Sequence, residues 1–428
     1  MSGSLVIFLF LFLLATGLPI AVSMGIPSAL YLMMANIPPS QLIQRMVTSL
    51  NSFPMLAVPL FILAAGMMNS SGITERLFEF AKLLVGRMKG GLAQVNIVAS
   101  LIFSGISGAA LADVGGLGNI EIEAMDKQNY PRTHSAAITA ASAVIGPIFP
   151  PSIPLIIYGA AAETSSMRLL IAGVLPALVI AMALMIQVAF FARKFNYPRG
   201  VDRKFSFSEI KAITKRGLPS MLMPVIMMGG MLSGWFSPTE VAAIAVAYAI
   251  VLSLAYKELT LSSFIKTCVE TLRSTASVLF IVASAAIFAW VLTVEQMPQQ
   301  VSALMLSISD NPVILLMLAN VILLVAGMFL ESTAAIMILT PILLPPLVAA
   351  GVDPVHFGLV MVFNLMIGMI TPPVGMNVYM LSPIVDLPVG KVFKACLPYL
   401  ASLLVALVIL TYVPQISLWL PNLVFASR

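Results

Sequence analysis

Two segments of the chain, one in each half, combine residue types that could bind a cation. Both read Gly-x-Ile-x-Pro-Pro, at 146–151 and at 368–373. Paired prolines inside a helix remove two N–H donors and leave carbonyl oxygens of the preceding turn without helical partners. Within a membrane such oxygens must face protein or a wet cavity. Carbonyl oxygens and hydroxyls, such as that of Thr371, suit Na⁺, a hard cation that prefers oxygen ligands.

A short run of small or polar residues precedes each break and predicts a hairpin tip. Ser104-Gly105-Ile106-Ser107-Gly108 precedes the first break, and Glu331-Ser332-Thr333 precedes the second. Main-chain N–H groups at such tips can hold an anion, and an acidic residue in an apolar region is a functional candidate by default. Three structural alternatives stay open: ordinary proline kinks, close helix packing at Ser104 and Ser107, and a solvated hairpin end at Glu331.

The elements that carry these residues are membrane helices. The 428-residue chain is 60% hydrophobic and 9% charged, whereas a soluble domain is about 25% charged. Several stretches contain no Asp, Glu, Lys or Arg and approach or exceed the roughly 20 residues that span a bilayer. These stretches are 5–35, 53–68, 169–192 and 398–413. The composition excludes a soluble protein.

Charge placement predicts the topology. Nineteen of the 22 lysines and arginines fall in loops that one arrangement places on the cytoplasmic side, as the positive-inside rule expects. The amphipathic stretch 74–89 is expected at the membrane interface, with Leu77 facing lipid. The arrangement has helices at 4–20, 22–36, 53–70, 135–158, 169–192, 219–236, 238–256, 274–293, 357–381 and 395–414, and re-entrant hairpins at 92–125 and 312–350.

The two halves have the same order of elements, namely three helices, a hairpin and two more helices. Five crossings are an odd number, so the second half must be inverted relative to the first. Paired interrupted segments of this kind indicate the binding site of a secondary transporter. The predicted fold is therefore an all-α integral membrane protein with about ten transmembrane helices and two re-entrant hairpins. Its inverted repeats are 1–192 and 217–428, joined by a basic cytoplasmic linker at 193–216.

The run from Phe103 to Asp113, with the breaks at 146–152 and 368–375, resembles the large membrane subunit of TRAP transporters. The resemblance covers essentially the whole chain and points to the sialic acid branch. It implies a sodium-coupled importer of organic anions in the bacterial inner membrane, with an elevator-type fold of the ion-transporter superfamily. It also implies two partners, a small four-helix membrane (Q) subunit and a periplasmic substrate-binding (P) protein. Na⁺ would be the coupling ion, and no organic cofactor is implied.

The resemblance also implies site residues. The first sodium site would comprise Ser104, Ser107, Gly146, Phe149 and Pro150. The second would comprise Gly327, Gly368, Met369 and Thr371. The substrate would lie between the two tips, in contact with Ser107, Gly108, Ala109, Glu331, Ser332 and Thr333. Many relatives have serine where this chain has Ala109, so a hydroxyl contact from that position is missing.

Other classes of function fit the sequence less well. An enzyme would need a nucleophile with a base, or a metal cluster, and the chain contains no HExxH or GxSxG motif. A proton-pumping subunit would carry several ionisable residues within its helices. Basic residues spread over several loops do not form the patch that nucleic-acid binding requires. A channel, or an organic-anion transporter that needs no binding protein, is the remaining alternative.

Overall fold

A computed structural model of the chain describes residues 2–201 and 203–425. The regular secondary structure of this part is all helical, apart from one isolated antiparallel bridge between Lys89 and Arg199. The outermost residues of the two predicted repeats and Asp202 lie outside the described part. The helices of the first half are α1 (Gly3–Ala15), α2 (Ile20–Met34), α3 (Ser40–Leu50), α4 (Ala57–Ser70), α5 (Ile73–Val85), α6 (Gly91–Ser107), α7 (Ala110–Gly116), α8 (Gly118–Asp126), α9 (Arg132–Ser142), α10 (Ile153–Ala161), α11 (Ser166–Ala172) and α12 (Val174–Lys194).

The second half continues the helical architecture. Its helices are α13 (Phe207–Ser233), α14 (Pro238–Ala255), α15 (Leu261–Val294), α16 (Met297–Ile308), α17 (Pro312–Gly327), α18 (Ser332–Ala349), α19 (Pro354–Gly368), α20 (Met376–Val385), α21 (Val389–Tyr412) and α22 (Pro414–Phe425). Two short 3₁₀ segments, Phe53–Leu56 and Ala143–Ile145, precede α4 and follow α9.

Six helical segments of the described chain are long and apolar enough to cross a membrane, or seven if the bent pair α6–α7 forms one span. Five further apolar helices are shorter than a full span. The predicted class, an all-helical multi-pass membrane protein, is confirmed. The count of ten crossings stays a prediction because breaks divide several of the apolar segments.

Helix starts follow their capping residues. Ser237 and Glu240 form the reciprocal capping box expected at the start of α14. A second box, Ser206 with Glu209, starts α13 inside the predicted linker. Hydrogen bonds from Arg203 and from the Ser206 backbone lower the pKa of Glu209 to about 2. The helix predicted from 219 therefore begins earlier, at Phe207, within the stretch predicted as the basic linker.

Other predicted boundaries also need correction. The segment predicted at 135–158 begins earlier, at Arg132, and ends later, at Ala161, and the predicted break divides it into α9 and α10. The helix predicted at 274–293 is the second part of the 34-residue α15. Leu77 was expected to face lipid, but it is fully buried because that face of α5 packs on α6 and α13. Arg76 fixes the same helix through a salt bridge of 2.6 Å to Glu258.

Candidate functional site

The first hairpin tip lies directly on the first proline break. α6 ends at Ser107, Gly108 adopts the left-handed backbone conformation with φ of +61°, and the chain bends by 119° into α7. Gly108 O accepts a hydrogen bond from Ile153 N at 3.3 Å. A Cβ at Gly108 would lie 2.4 Å from Pro151 O. Both the backbone angle and the close approach therefore require glycine here.

Predicted residues on the two sides of this contact face one another. The carbonyl carbon of Ala109 lies 3.5 Å from the position that a Cβ on Gly146 would take. Ser104 Oγ donates to the carbonyl of the preceding turn at 2.5 Å, which leaves its lone pairs free. Ser107 is 1% exposed, and its Oγ has no hydrogen-bond partner. The remaining predicted residues of this group, which lie in the same break, are Phe149 and Pro150.

The second break meets its hairpin through the ends of two helices. A Cβ at Gly368, the last residue of α19, would lie 2.3 Å from the carbonyl carbon of Gly327, the last residue of α17. Met369 follows directly and is buried. Thr371 Oγ1 donates to Ile367 O at 2.7 Å, so its lone pairs also stay free. The four residues predicted for the second sodium site therefore lie close to this helix contact.

Glu331 has a structural role that its sequence context did not indicate to us. One oxygen of its carboxylate accepts hydrogen bonds from Thr333 N at 2.8 Å and Ala334 N at 3.3 Å. The other accepts from the hydroxyls of Ser332 at 2.9 Å and Thr333 at 3.0 Å. Glu331 is thus the N-cap of α18, and the two hydroxyls predicted to contact substrate donate to it. A polar residue directly before a helix start could have indicated this cap.

The two roles of Glu331 predict different mutant behaviour. Removing an N-cap costs about 1 kcal/mol, so Glu331→Ala should lower the thermal unfolding temperature. Glu331→Gln keeps an acceptor oxygen and should fold normally while transporting more weakly. The matched control is Asp353→Ala, because Asp353 caps α19 in the same way, with Oδ1 2.7 Å from Val355 N. Wild-type uptake by Glu331→Gln at all sodium concentrations would leave Glu331 a helix cap alone.

A cavity of about 340 Å³ separates the first hairpin from α4 and α15. Ser107 and Ala109, two of the predicted substrate contacts, lie in its wall on the hairpin side. Residues 331–333 are not among its lining residues, so the meeting of both tips at one substrate stays a prediction. The polar groups of the opposite wall are Asn69, Thr267, Glu270, Thr271 and Ser274.

Sequence reasoning missed this opposite wall. Thr267, Thr271 and Ser274 recur at intervals of four and three residues, the spacing of one helix face. That spacing could have indicated a polar helix face. The charged residues Lys266, Glu270 and Arg273 lie between these positions, and they made the segment resemble a cytoplasmic loop.

Comparison with known proteins identifies the family of the chain. Residues 7–416 match the sequence model of the family described as tripartite ATP-independent periplasmic transporter, DctM component. The sialic acid TRAP transporter large permease SiaM of Vibrio cholerae is 43% identical, over 99% of both chains. The sialic acid TRAP transporter permease SiaT of Haemophilus influenzae is 39% identical, over 99% of this chain and 68% of its own length.

Two further likenesses widen the comparison. The C4-dicarboxylate TRAP transporter large permease DctM of Pseudomonas aeruginosa is 39% identical over 86% of each chain. The crystal structure of the Alcanivorax borkumensis YdaH transporter superimposes with a TM-score of 0.64 at 18% identity, over 89% of this chain and 90% of the other. The likeness to the YdaH transporter shows a shared fold. The sequence matches show that this chain belongs to the DctM family and is a large permease of a tripartite ATP-independent periplasmic (TRAP) transporter.

Proposed function

We propose that this permease imports a small organic anion together with sodium ions, and that sialic acid is its first candidate substrate. The observation that carries the proposal is the Ser107 hydroxyl. It is buried, it has no hydrogen-bond partner, and it lies where the first tip meets the first break. Ser107 also borders the cavity. Relatives named for sialic acid support the substrate. Another relative of similar identity is named for C4-dicarboxylates, so these smaller acids are the alternative substrates to compare with sialic acid.

The geometry of the hydroxyls supports sodium binding at the breaks. Ser104 and Thr371 each donate their proton back to a helix carbonyl, so only oxygen lone pairs remain for a ligand. Such oxygens attract a cation and repel an anion. Together with carbonyls near Gly146 and Gly368, they would form one sodium site per break. Sodium binding would then make each neighbouring tip electrostatically attractive to a carboxylate.

The cavity supports an elevator mechanism. It lies between the first hairpin, which is the proposed moving part, and α4 and α15, which belong to the proposed fixed part. In this proposal the substrate binds in the cavity between them. In this proposal both hairpins, α9–α10 and α19–α20 move as one body, and the inverted repeats at 1–192 and 217–428 supply its two halves. A small four-helix Q subunit would accompany the fixed part in the bacterial inner membrane. A periplasmic P protein would deliver the substrate.

Uptake in proteoliposomes tests the function. With its Q subunit and P protein, the permease should accumulate sialic acid only when a sodium gradient is present. A monoanion carried with two sodium ions moves one net positive charge inward, which is worth about 2.3 kcal/mol per 100 mV. An inside-negative potential should therefore accelerate uptake. The control panel replaces sialic acid with C4-dicarboxylates.

Two results would contradict this function. Equal uptake in sodium-free and sodium-containing buffer would exclude sodium coupling. An ionic current without substrate or P protein would favour the channel alternative.

A further inference from the structure

Two carboxylates are buried inside the first hairpin. Asp113 on α7 is 2% exposed and Glu121 on α8 is 1% exposed. Within the described residues, no lysine, arginine or histidine forms an ion pair with either of them. An ionised carboxylate buried without a partner is strongly unfavourable. Each of these groups must therefore be neutralised by something other than a basic side chain.

Two polar side chains donate hydrogen bonds to one oxygen of Glu121. Its Oε2 accepts hydrogen bonds from Asn96 Nδ2 at 2.7 Å and from Thr139 Oγ1 at 3.2 Å. Asn96 is oriented by Ser142, whose hydroxyl donates to Asn96 Oδ1 at 2.7 Å. Donors aimed at a carboxylate stabilise its charge. Glu121 Oε1 has no partner at all, so one oxygen of an oriented carboxylate remains open to a ligand.

Further unpartnered oxygens lie in the same region. Neither oxygen of Asp113 has a hydrogen-bond partner, although Asp113 lies near Ser100 and close enough to Glu121 to interact electrostatically with it. Asn377, on α20 of the other half, is fully buried and its Oδ1 is also unpartnered. Its Nδ2 donates to the carbonyl of Ala140, the neighbour of Thr139, at 3.4 Å.

Helix packing places Asn377 at the junction of the first hairpin and α9. α20 packs on α7, α8 and α9. One turn after Asn377, the side chain of Leu381 lies 3.6 Å from the position of a Cβ on Gly118, the first residue of α8. The amide of Asn377 therefore reaches the junction of the hairpin and α9. An amide oxygen there is an independent ligand that comes from outside the acidic pair.

We propose that Asp113, Glu121 and Asn377 bind a sodium ion at the base of the first hairpin, apart from the two proline breaks. Glu121 supplies the charged ligand through Oε1, and Asn377 supplies a neutral oxygen. In this proposal Asp113, neither oxygen of which has a hydrogen-bond partner, holds the one proton of the pair and contributes its carbonyl oxygen. One sodium ion and one proton then balance the two acids. The bound ion joins the first hairpin to α20, and it does not require sodium at the breaks.

Direct sodium binding tests the proposal. In the full chain in lipid nanodiscs, Glu121→Gln should bind one sodium ion fewer than the wild type, measured with radioactive sodium at neutral pH. The glutamine keeps an oxygen for Asn96 and Thr139, so the variant should fold. Asp113→Asn should keep the ion, since asparagine resembles the protonated acid. The matched control is Glu123→Gln, because Glu123 lies on the same helix but is exposed and paired with Lys127 at 2.7 Å.

A second variant keeps the test decisive if Glu121→Gln fails to fold. Asn377→Ala removes one proposed ligand and should weaken the same binding step by at least about tenfold, since even losing a group that orients a metal ligand costs about 10–100-fold in affinity. Sodium should also raise the thermal unfolding temperature of the wild type more than potassium does. Equal sodium stoichiometry in the wild type, Glu121→Gln and Asn377→Ala would mean that protons alone neutralise the pair. Sodium-independent uptake with this ion still bound would refute the coupling proposal and leave this site standing.

Discussion

Closing a covalent link between Asn69→Cys on α4 and Gly116→Cys on α7 should abolish transport. Asn69 Oδ1 lies 3.3 Å from the position of a Cβ on Gly116, so a disulfide or a very short thiol cross-linker can join the two positions. α4 belongs to the proposed fixed part and α7 to the moving hairpin. A link across that boundary stops an elevator, whereas it has little effect on a protein that opens only its tips. Uptake should return when the link is reduced.

A cysteine-free protein is the starting point for this experiment, and two controls accompany the link. Both native cysteines, Cys268 and Cys396, are free and can first be replaced by alanine. Because Asn69 and Gly116 border the cavity, each single cysteine should be capped with a small methylthio group, which fills space without linking. Linking Ser71→Cys to Ser253→Cys, where the hydroxyl oxygens lie 2.5 Å apart, joins two fixed elements and should leave uptake unchanged. Full transport with the first link closed would refute the elevator.

The features that the sequence predicted well are those that act locally along the chain. Paired prolines interrupt a helix whatever surrounds them, so the position of the first break between α9 and α10 followed from residues 146–151 alone. The turn at Gly108 followed from small residues for the same reason. The capping box at Ser237 was equally local. The membrane class followed from composition, because hydrocarbon penalises charge wherever a helix crosses it.

The features that were missed depend on which helix faces meet. Leu77 was expected to face lipid because an amphipathic pattern does not reveal whether lipid or another helix covers the apolar side. α15 was cut short because Lys266 and Arg273 were taken to end the membrane segment, although residues 261–294 contain no glycine or proline to break a helix. A helix can extend beyond the bilayer, so charge marks the membrane boundary and not the helix end.

The buried acids of the first hairpin show the same limit at the site. Asp113 and Glu121 stand in a polar stretch that the topology assigned to a hairpin, and nothing in their spacing distinguishes a buried carboxylate from a solvated one. Their burial depends on α9 and α20, which are distant in sequence. Only the fold brings α20, with Asn377, against the hairpin.

Substituting Gly368 by alanine should cause a large loss of stability. A Cβ at Gly368 would lie 2.3 Å from the carbonyl carbon of Gly327 and 2.6 Å from its Cα. These are backbone atoms, so α17 and α19 must separate, and overpacking of this kind costs about 3 kcal/mol. The same separation would pull apart the residues proposed for the second sodium site. Thermal unfolding in detergent should therefore start at a distinctly lower temperature, and sodium should protect the variant less.

A series of alanine substitutions makes the test quantitative. Gly327→Ala should be milder, because its Cβ would lie 3.2 Å from Leu365 Cα and 3.3 Å from Gly368 Cα, distances that small shifts can relieve. Gly390→Ala is the matched control, since no atom beyond the backbone of its own helix turn lies within 4 Å of its added Cβ and alanine is the better helix former. The unfolding temperatures should rise in the order Gly368→Ala, Gly327→Ala, Gly390→Ala. Equal temperatures for the first and last would mean that α17 and α19 do not touch through their backbones. The second break would then lack the close helix contact that positions its carbonyl oxygens for a cation.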